Sequence, residues 1–305
     1  VSAASLQQIS TFRINISGTG TLELRGAAGS TSEVVVENGG TVRLGHKDAL
    51  GAGFITSNSG TFEASTDLTG ANAIPTQLQL KNNDGSGHAV FQGSHSIELS
   101  DVARFGGGGK GITNNIVAGK TLEITNDVTE IFGNGTIFSS VSGTGETVLS
   151  GDLDGPGKIN QNGPGILTLS GSNSHGTGQD TRVSDGVLKL AGTGASGALD
   201  AGGLAQLFTS ANPDGSAGGV IGLANGDFTR PLTNTGDVDN TVKMFEGGGF
   251  AAYGADRNVN FFGDGREISW GGGGFVRPTE AGGVFILGHE TADATVTLVN
   301  PLNIQ

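Results

Sequence analysis

The chain has 305 residues, of which 57 are Gly and only 35% are hydrophobic, so it lacks the large side chains of a thick globular core. Only 15% of the residues are charged and only 7 are Pro, which is not the composition of a disordered protein. The net charge of -13 excludes a basic surface for nucleic acid. The absence of Cys excludes disulfides and thiolate metal sites, and no apolar run is long enough for membrane insertion.

A short motif, Gly-Thr-apolar-x-apolar, recurs at a fixed interval near the start of the sequence, at 20–24, 40–44 and 60–64. Degenerate copies continue at less regular intervals, at 76–80, 95–99, 120–124, 146–150, 165–169 and 186–190. Repetition at this period is typical of solenoids, in which each repeat buries its apolar face against its neighbours.

Each copy of the motif alternates as a β-strand does. Leu22 and Leu24 lie on one face of the first copy, whereas Thr21 and Glu23 lie on the other. Strands repeated at a fixed interval are poorly placed to pair as hairpins, so we expect them to stack in parallel, one above another. A second strand in each coil is predicted at 33–37, ahead of an Asn-Gly-Gly turn. The sequence therefore predicts an all-β fold, a parallel β-helix (β-solenoid) with coils of about 20 residues.

Residues 1–305 are expected to form one continuous β-helix segment of a larger protein. Residues 1–190 contain the regular repeats. Residues 191–305 are predicted to form a spacer-type module with longer loops.

A longer motif lies between residues 163 and 190. Its positions are Gly163, Gly165, Leu167, Thr168, Leu169, Ser170, Gly171, Asn173, Gly178, Val183, Gly186, Leu188 and Leu190. This stretch resembles the autotransporter-associated β-strand repeat, also called the passenger-associated transport repeat. The segment from Phe250 through Trp270 to Leu302 resembles the spacer between such repeats in very large bacterial surface proteins. The resemblance implies a right-handed parallel β-helix exported to the bacterial cell surface.

Two acidic pairs are the candidate functional residues. Each Asp-x-Asp pair places both carboxylates on one side of an extended segment, which suits acid–base catalysis or Ca²⁺ binding. The candidates are Asp152 with Asp154 and Asp237 with Asp239, and the nearby cations are Arg182 and Lys189. Solvated turns explain both pairs as well, because neither comes with further ligands. We therefore expect no catalytic residues, no cofactor and no metal site beyond these weak Ca²⁺ candidates.

The histidines and aromatic residues favour structural roles. The histidines are scattered, at positions 46, 88, 95, 175 and 289, without the spacing of a metal site. Phenylalanines are predicted to stack in the interior, and these include Phe62, Phe91, Phe105, Phe132, Phe138, Phe261 and Phe262. For Tyr253 and Trp270 we expect packing rather than ligand contact.

The sequence favours a structural, non-enzymatic rod at the bacterial cell surface, as part of a fibre, stalk or sheath. One alternative is an adhesin passenger or spacer that presents a binding domain encoded elsewhere. A third is a carbohydrate-active β-helix enzyme. The expected partners are further copies, joined end to end or side by side, and other surface proteins or glycans. Nucleic acid is not an expected partner, and this segment is not expected to insert into a membrane.

Overall fold

A computed structural model describes residues 13–27, 33–51, 53–81, 88–106, 110–129, 138–154, 158–173, 180–192, 206–210, 218–234, 240–245, 247–276 and 283–304. Regular structure in these ranges consists of β-strands and two single turns of 3₁₀ helix, at Gly70–Asn72 and Phe261–Gly263. The chain forms two compact units, Val1–Gly151 and Asp152–Gln305. The predicted change to longer loops after residue 190 falls inside the second unit.

The first unit is built from three parallel sheets. Its first sheet contains, in spatial order, β1 (Arg13–Ile16), β3 (Glu33–Glu37), β5 (Phe54–Asn58), β7 (Gln77–Lys81), β10 (Ala103–Gly106) and β13 (Val128–Thr129). Its second sheet contains β2 (Thr21–Leu24), β4 (Thr41–Leu44), β6 (Gly60–Ala64), β8 (His88–Gly93), β11 (Lys110–Ile116) and β14 (Phe138–Ser142). Its third sheet contains β9 (Ile97–Leu99), β12 (Thr121–Ile124) and β15 (Glu146–Leu149). Successive strands of a sheet come from successive coils, so the parallel β-solenoid is confirmed.

Like residues lie above like residues in the first three coils. Thr21 pairs with Thr41, and Thr41 pairs with Thr61, so each coil here has the length of one motif interval. On the inner face Val42 pairs with Phe62, and both are almost fully buried. Phe62 in turn pairs with Phe91 and stacks on it, with ring centroids 5.2 Å apart. The repeated motif thus places one apolar side chain per coil at the same point of the interior.

The later copies of the motif do not continue this column. Strand β7, at 77–81, pairs with β5 in the first sheet, whereas the strand above β6 is β8. The copies that begin at residues 95, 120 and 146 form the third sheet. This sheet starts where Leu68 and Ile74 form bridges with Ile97 and Leu99. The extra residues between β6 and β7 therefore add a third side to the coil, and the motif moves to that side.

The second unit has the same parallel stacking. After β16 (Leu153–Asp154), one sheet contains β17 (Lys158–Gln161), β19 (Asp180–Val183), β21 (Gln206–Ser210) and β23 (Val242–Phe245). Another contains β18 (Ile166–Leu169), β20 (Val187–Leu190), β22 (Val220–Leu223), β24 (Gly247–Ala252) and β27 (Val284–Leu287). Two smaller sheets pair β25 (Arg257–Val259) with β28 (Val296–Leu298) and β26 (Ile268–Ser269) with β29 (Leu302–Asn303).

Coils lengthen along the second unit. Ile166 pairs with Val187, whereas Arg257 pairs with Val296, which is nearly twice as far along the chain from its partner. The additional residues lie in the connections between strands, since the strands themselves stay short. Stacking therefore tolerates long insertions at the corners of a coil, as expected when loop closure costs little extra free energy per added residue.

The interior of the second unit is aromatic. Phe228 contacts Phe250, with ring centroids 4.8 Å apart, and Phe261 packs edge-on against both. The prediction that Phe262 also stacks inside is wrong. Phe262 is only half-buried, has a φ of 67°, and lies under the guanidinium group of Arg266, 4.4 Å from the ring centroid. Phe105 is buried as predicted, whereas Phe132 and the side chain of Phe138 lie outside the described residues.

Candidate functional site

The Asp152–Asp154 pair lies at a corner of the second unit. Leu153, between the two carboxylates, is buried, so both acids face outward, as the Asp-x-Asp pattern predicts. The backbone N–H of Ser172, one coil later, donates to Asp152 Oδ1 at 2.7 Å. The backbone N–H of Leu153 donates to Oδ1 of the buried Asn173 at 2.9 Å. The corner therefore connects two coils through side chain-to-backbone hydrogen bonds.

The other acidic pair, Asp237 and Asp239, lies outside the described residues. In the part of the chain that the structure describes, no three His, Asp or Glu side chains come together as a metal site would need. The pair Asp152 and Asp154 thus gains no third carboxylate or imidazole ligand in the described ranges. No helix in those ranges is long and apolar enough to cross a membrane.

Carboxylates bind the backbone of the adjacent coil at several other corners. In each case a backbone N–H donates to a carboxylate that belongs to a different coil. The pairs are Ser96 with Asp67 at 2.9 Å, Gly70 with Glu98 at 2.6 Å, Asn258 with Asp227 at 2.7 Å, Thr295 with Asp256 at 2.8 Å and Gly254 with Asp293 at 2.7 Å. We call these acidic residues, together with Asp152, the corner carboxylates. They satisfy N–H groups at corners, where regular strand pairing is interrupted.

Asp67 has the most elaborate surroundings of the corner carboxylates. Its Oδ2 accepts a hydrogen bond from Lys120 Nζ at 2.6 Å, and its Oδ1 lies 3.4 Å from His95 Nδ1. The hydrogen bonds from Lys120 and from the Ser96 backbone hold the pKa of Asp67 below its ordinary value. An Asp beside a His and a Lys could assist proton transfer. All three side chains are substantially exposed, however, and such pairs in solvent serve equally well as links between coils.

Buried asparagines connect coils in the same way from the inside. Asn114 Nδ2 donates to the backbone oxygen of Glu146 at 2.7 Å. Asn300 accepts from the N–H of Phe261 at 2.7 Å and donates to the backbone oxygens of Phe261 and Arg266. Both side chains are almost fully buried, so their amides replace the water that these backbone groups would otherwise bind.

Two further ionisable groups in the first unit depend on contacts between coils. Burial lowers the pKa of His88, whose Nε2 contacts Thr113 Oγ1 on the next coil. Burial opposes ionisation of Glu63, but hydrogen bonds from Gln92 and Arg43 outweigh it and hold the pKa of Glu63 below its ordinary value. These two hydrogen bonds are 2.8 and 2.9 Å long, and they join three successive strands on the outer face of the second sheet.

The lowered pKa values of these groups predict that acid destabilises the first unit in two stages. His88 has a folded-state pKa below 6.5, so it stabilises the fold above that pH, and this contribution is lost as the pH falls through the lowered value. Glu63 and Asp67 add stability above their unfolded pKa values of 4.5 and 3.8, which is lost on further acidification. Urea unfolding midpoints at pH 7.5, 5.5 and 3.5, followed by circular dichroism, should fall at each step. His88→Gln should flatten the first stage, and an unchanged first stage in that variant would contradict the assignment.

Replacing Asp152 by Ala should destabilise the second unit by about 1 kcal/mol, because the N–H of Ser172 loses its charged acceptor. Asp264→Ala is the matched control, since exposed Asp264 pairs within its own coil, with Arg266 two residues later. Removal of the Asp264 carboxylate should lower the free energy of unfolding by no more than the loss of a surface ion pair does. Urea midpoints of the two variants and the parent chain measure the difference. Equal effects in the two variants would contradict a role for Asp152 between coils.

The remaining candidates do not come together as a catalytic group. Lys189 Nζ lies over the ring of Tyr253, 4.8 Å from its centroid, and the Tyr253 hydroxyl contacts Thr291 Oγ1 at 2.8 Å. Trp270 packs edge-on against Phe275. Arg182 lies on β19 and is half-buried, with bonding partners of its own.

The described histidines have local or coil-to-coil contacts. His46 accepts from the N–H of Asp48, and His289 from the N–H of Thr291, two residues later in each case. His88 and His95 make the contacts with other coils given above, and His175 lies outside the described residues.

Sequence reasoning missed all the corner carboxylates except Asp152, and it missed the structural role of that residue. Each is an isolated acid near a glycine or a strand end, and its partner is set by coil length, which varies. The signal is therefore visible only once successive coils have been aligned.

Comparison of the chain with protein families, with curated proteins and with solved structures finds no match.

Proposed function

We propose that the chain is a structural, non-enzymatic segment of a bacterial surface protein, akin to the autotransporter-associated repeats that its sequence resembles. In this role its stacked coils form a stiff extracellular shaft within a fibre, stalk or sheath. The proposal includes association with further copies of the chain, end to end or side by side, and with other surface proteins or glycans. No cofactor is required, and neither nucleic acid nor membrane insertion forms part of this role.

One observation carries the proposal. The outward acidic side chains that could form a site, Asp152 among them, instead accept hydrogen bonds from the backbone of adjacent coils. A catalytic pair needs carboxylates that converge on a substrate and keep lone pairs available for it. Carboxylates that lie at separate corners are better placed to hold adjacent coils together than to act on one substrate.

The mechanical argument follows from parallel stacking. Each strand is paired along its length with the strand of the next coil, for example over Thr21–Leu24 and Thr41–Leu44. Separating two coils therefore requires the loss of many backbone hydrogen bonds together, with buried side chains such as Val42 and Phe62 exposed at the same time. Such a stack suits a load-bearing element.

Electron microscopy combined with an activity screen tests the proposal. The purified chain should appear as elongated particles and should release no reducing or unsaturated ends from a panel of polysaccharides. EDTA should leave its unfolding midpoint unchanged. Sugar release that disappears in Asp152→Ala would overturn the proposal in favour of an enzyme. Chains that stay isolated and bind host matrix proteins saturably would overturn it in favour of an adhesin.

A further inference from the structure

A glutamine and an arginine lie next to each other on the outer side of the first sheet, in the middle of the first unit. Leu78 and Leu80 are buried in the interior, so Gln79, between them on β7, faces outward. Arg104, on β10, pairs with Gln79 in the register of the sheet and faces outward in the same way. We call Gln79 and Arg104 together the amide–arginine pair.

Each side chain of the pair has an enclosed polar atom without a partner. Gln79 is only 4% exposed, yet its Oε1 accepts no hydrogen bond, while its Nε2 donates to Gln77 Oε1. Arg104 is half-buried, and its Nε is enclosed without a partner as well. In the ranges that the structure describes, no carboxylate forms an ion pair with its guanidinium group. An enclosed donor and an enclosed acceptor on adjacent strands, both unused, indicate that a third group is needed to satisfy them.

The outward positions in register with the pair carry no acid. They are occupied, from one coil to the next, by Asn15, Val35, Thr56, Gln79, Arg104 and Thr129. A chain with a net charge of -13 repels anions over most of its surface, so an anion can bind only where acids are locally absent. Because no described residue is bonded to the Arg104 guanidinium, this side chain is able to turn outward and give a ligand access to Gln79 Oε1.

The two unused atoms determine the chemistry of the ligand. Arg104 donates hydrogen bonds and carries a permanent positive charge, and its planar group fits a carboxylate. Gln79 Oε1 only accepts, so the ligand must also donate a hydrogen bond beside its negative charge. Inorganic sulfate lacks the donor at neutral pH, a neutral sugar lacks the charge, and the side chain of a glutamate lacks the hydroxyl group. A sugar ring that carries both a carboxylate and hydroxyl groups meets the two requirements.

We propose that the amide–arginine pair binds a uronic acid residue of an acidic polysaccharide. The carboxylate of the sugar accepts from the Arg104 guanidinium, and a ring hydroxyl donates to Gln79 Oε1. This inference rests on the proposed structural role, and it names the class of glycan among the partners given there.

A similar arrangement in the second unit does not extend the proposal. Asn160 is 5% exposed, its Oδ1 has no hydrogen-bond partner, and it pairs with Arg182 in the register of the sheet. Arg182, however, has bonding partners of its own. The proposed site is therefore confined to the first unit.

Calorimetric titration of the full chain tests the proposal, with trigalacturonate as the probe. Binding should be saturable, and it should weaken as salt is added, because mobile ions screen the Arg104 charge. Maltotriose, triglutamate and inorganic sulfate should each bind at least about tenfold more weakly, since each lacks one of the required groups. A failure of trigalacturonate to bind, or equal binding of any of the other three, would overturn the proposal.

Two substitutions and a matched control locate the site. Arg104→Gln should weaken binding of trigalacturonate about tenfold or more, because the carboxylate loses its charged donor. Gln79→Glu keeps the shape of the side chain but places a carboxylate opposite Arg104, so it should abolish binding. Arg25→Gln also removes one positive charge, but the Arg25 side chain is 79% exposed and bonded to Glu23, so binding should be unchanged. Circular dichroism checks that each variant keeps the fold.

The variants also separate this inference from the proposed function. Equal effects of Arg104→Gln and Arg25→Gln, or unaltered binding in Gln79→Glu, would overturn the assignment of the site. Inactive, elongated particles that bind no trigalacturonate would contradict this inference and leave the structural role standing. Cleavage of the oligosaccharide would contradict the structural role itself.

Discussion

Replacing Phe250 by Ala is expected to lower the free energy of unfolding of the second unit by about 3–5 kcal/mol. The ring is fully buried and contacts Phe228 and Phe261, with centroids 4.8 and 5.8 Å away. Its removal leaves a cavity between coils that are held by their strand pairing and cannot collapse freely. The fluorescence of Trp270, the one Trp in the chain, reports unfolding of this unit in guanidinium chloride.

Phe262→Ala provides the control for that substitution. Phe262 follows Phe261 directly, but its ring is half-exposed and lies under Arg266. Its loss removes a cation–π contact at the surface, so a change of about 1 kcal/mol or less is expected. Similar losses of stability in the two variants would mean that Phe250 does not pack in the interior as described.

Replacing Gly186 by Ala is expected to cost about 3 kcal/mol. Gly186 has a φ of 60°, and a Cβ at this position would lie 2.3 Å from the backbone oxygen of Gly165 and 2.4 Å from that of Gly163. The same two oxygens accept hydrogen bonds from Gln161 Nε2. Space for the methyl group can therefore be made only by moving two coils apart and breaking these bonds. The guanidinium midpoint from Trp270 fluorescence measures the cost.

Gly20→Ala is the corresponding control. Gly20 belongs to the first copy of the repeated motif, is exposed, and has open space where a Cβ would be placed. The substitution should change the stability of the first unit, measured by circular dichroism, by less than about 0.5 kcal/mol. A loss there as large as that for Gly186 would indicate that glycine is required by the motif for a reason other than contact between coils.

The sequence is sufficient to predict the parallel stacking of the first coils, because a strict interval fixes the register. Since the first copies of the motif are equally spaced, Thr41 can lie only above Thr21, and the alternation of Leu22 and Leu24 decides which face is inside. Later intervals vary, so the same motif no longer identifies one sheet. The addition of a third side between β6 and β7 depends on how Leu68 and Ile74 bridge to the next coil. No spacing in the sequence specifies that bridge.

The candidate site was predictable only in part. That Asp152 and Asp154 face outward follows from the alternation around Leu153. The hydrogen bond from Ser172 to Asp152 depends on the length of one particular coil. The hydrogen bond from the N–H of Thr295 to Asp256 depends on the length of a much longer coil. Because an acceptor at a corner needs only a nearby N–H, many sequences satisfy the same requirement. Acids with a structural role therefore resemble acids with a chemical role until the coils are superposed.

The corner carboxylates should make contact between successive coils less sensitive to salt than surface ion pairs are. A surface ion pair such as Arg43 with Glu63 weakens as ionic strength rises, because mobile ions screen both partners. A carboxylate bound to a backbone N–H has an uncharged donor at short range, so dissolved salt competes poorly with it. We therefore expect contact between successive coils to persist at high salt concentration. A protein of this kind is suited to saline surroundings.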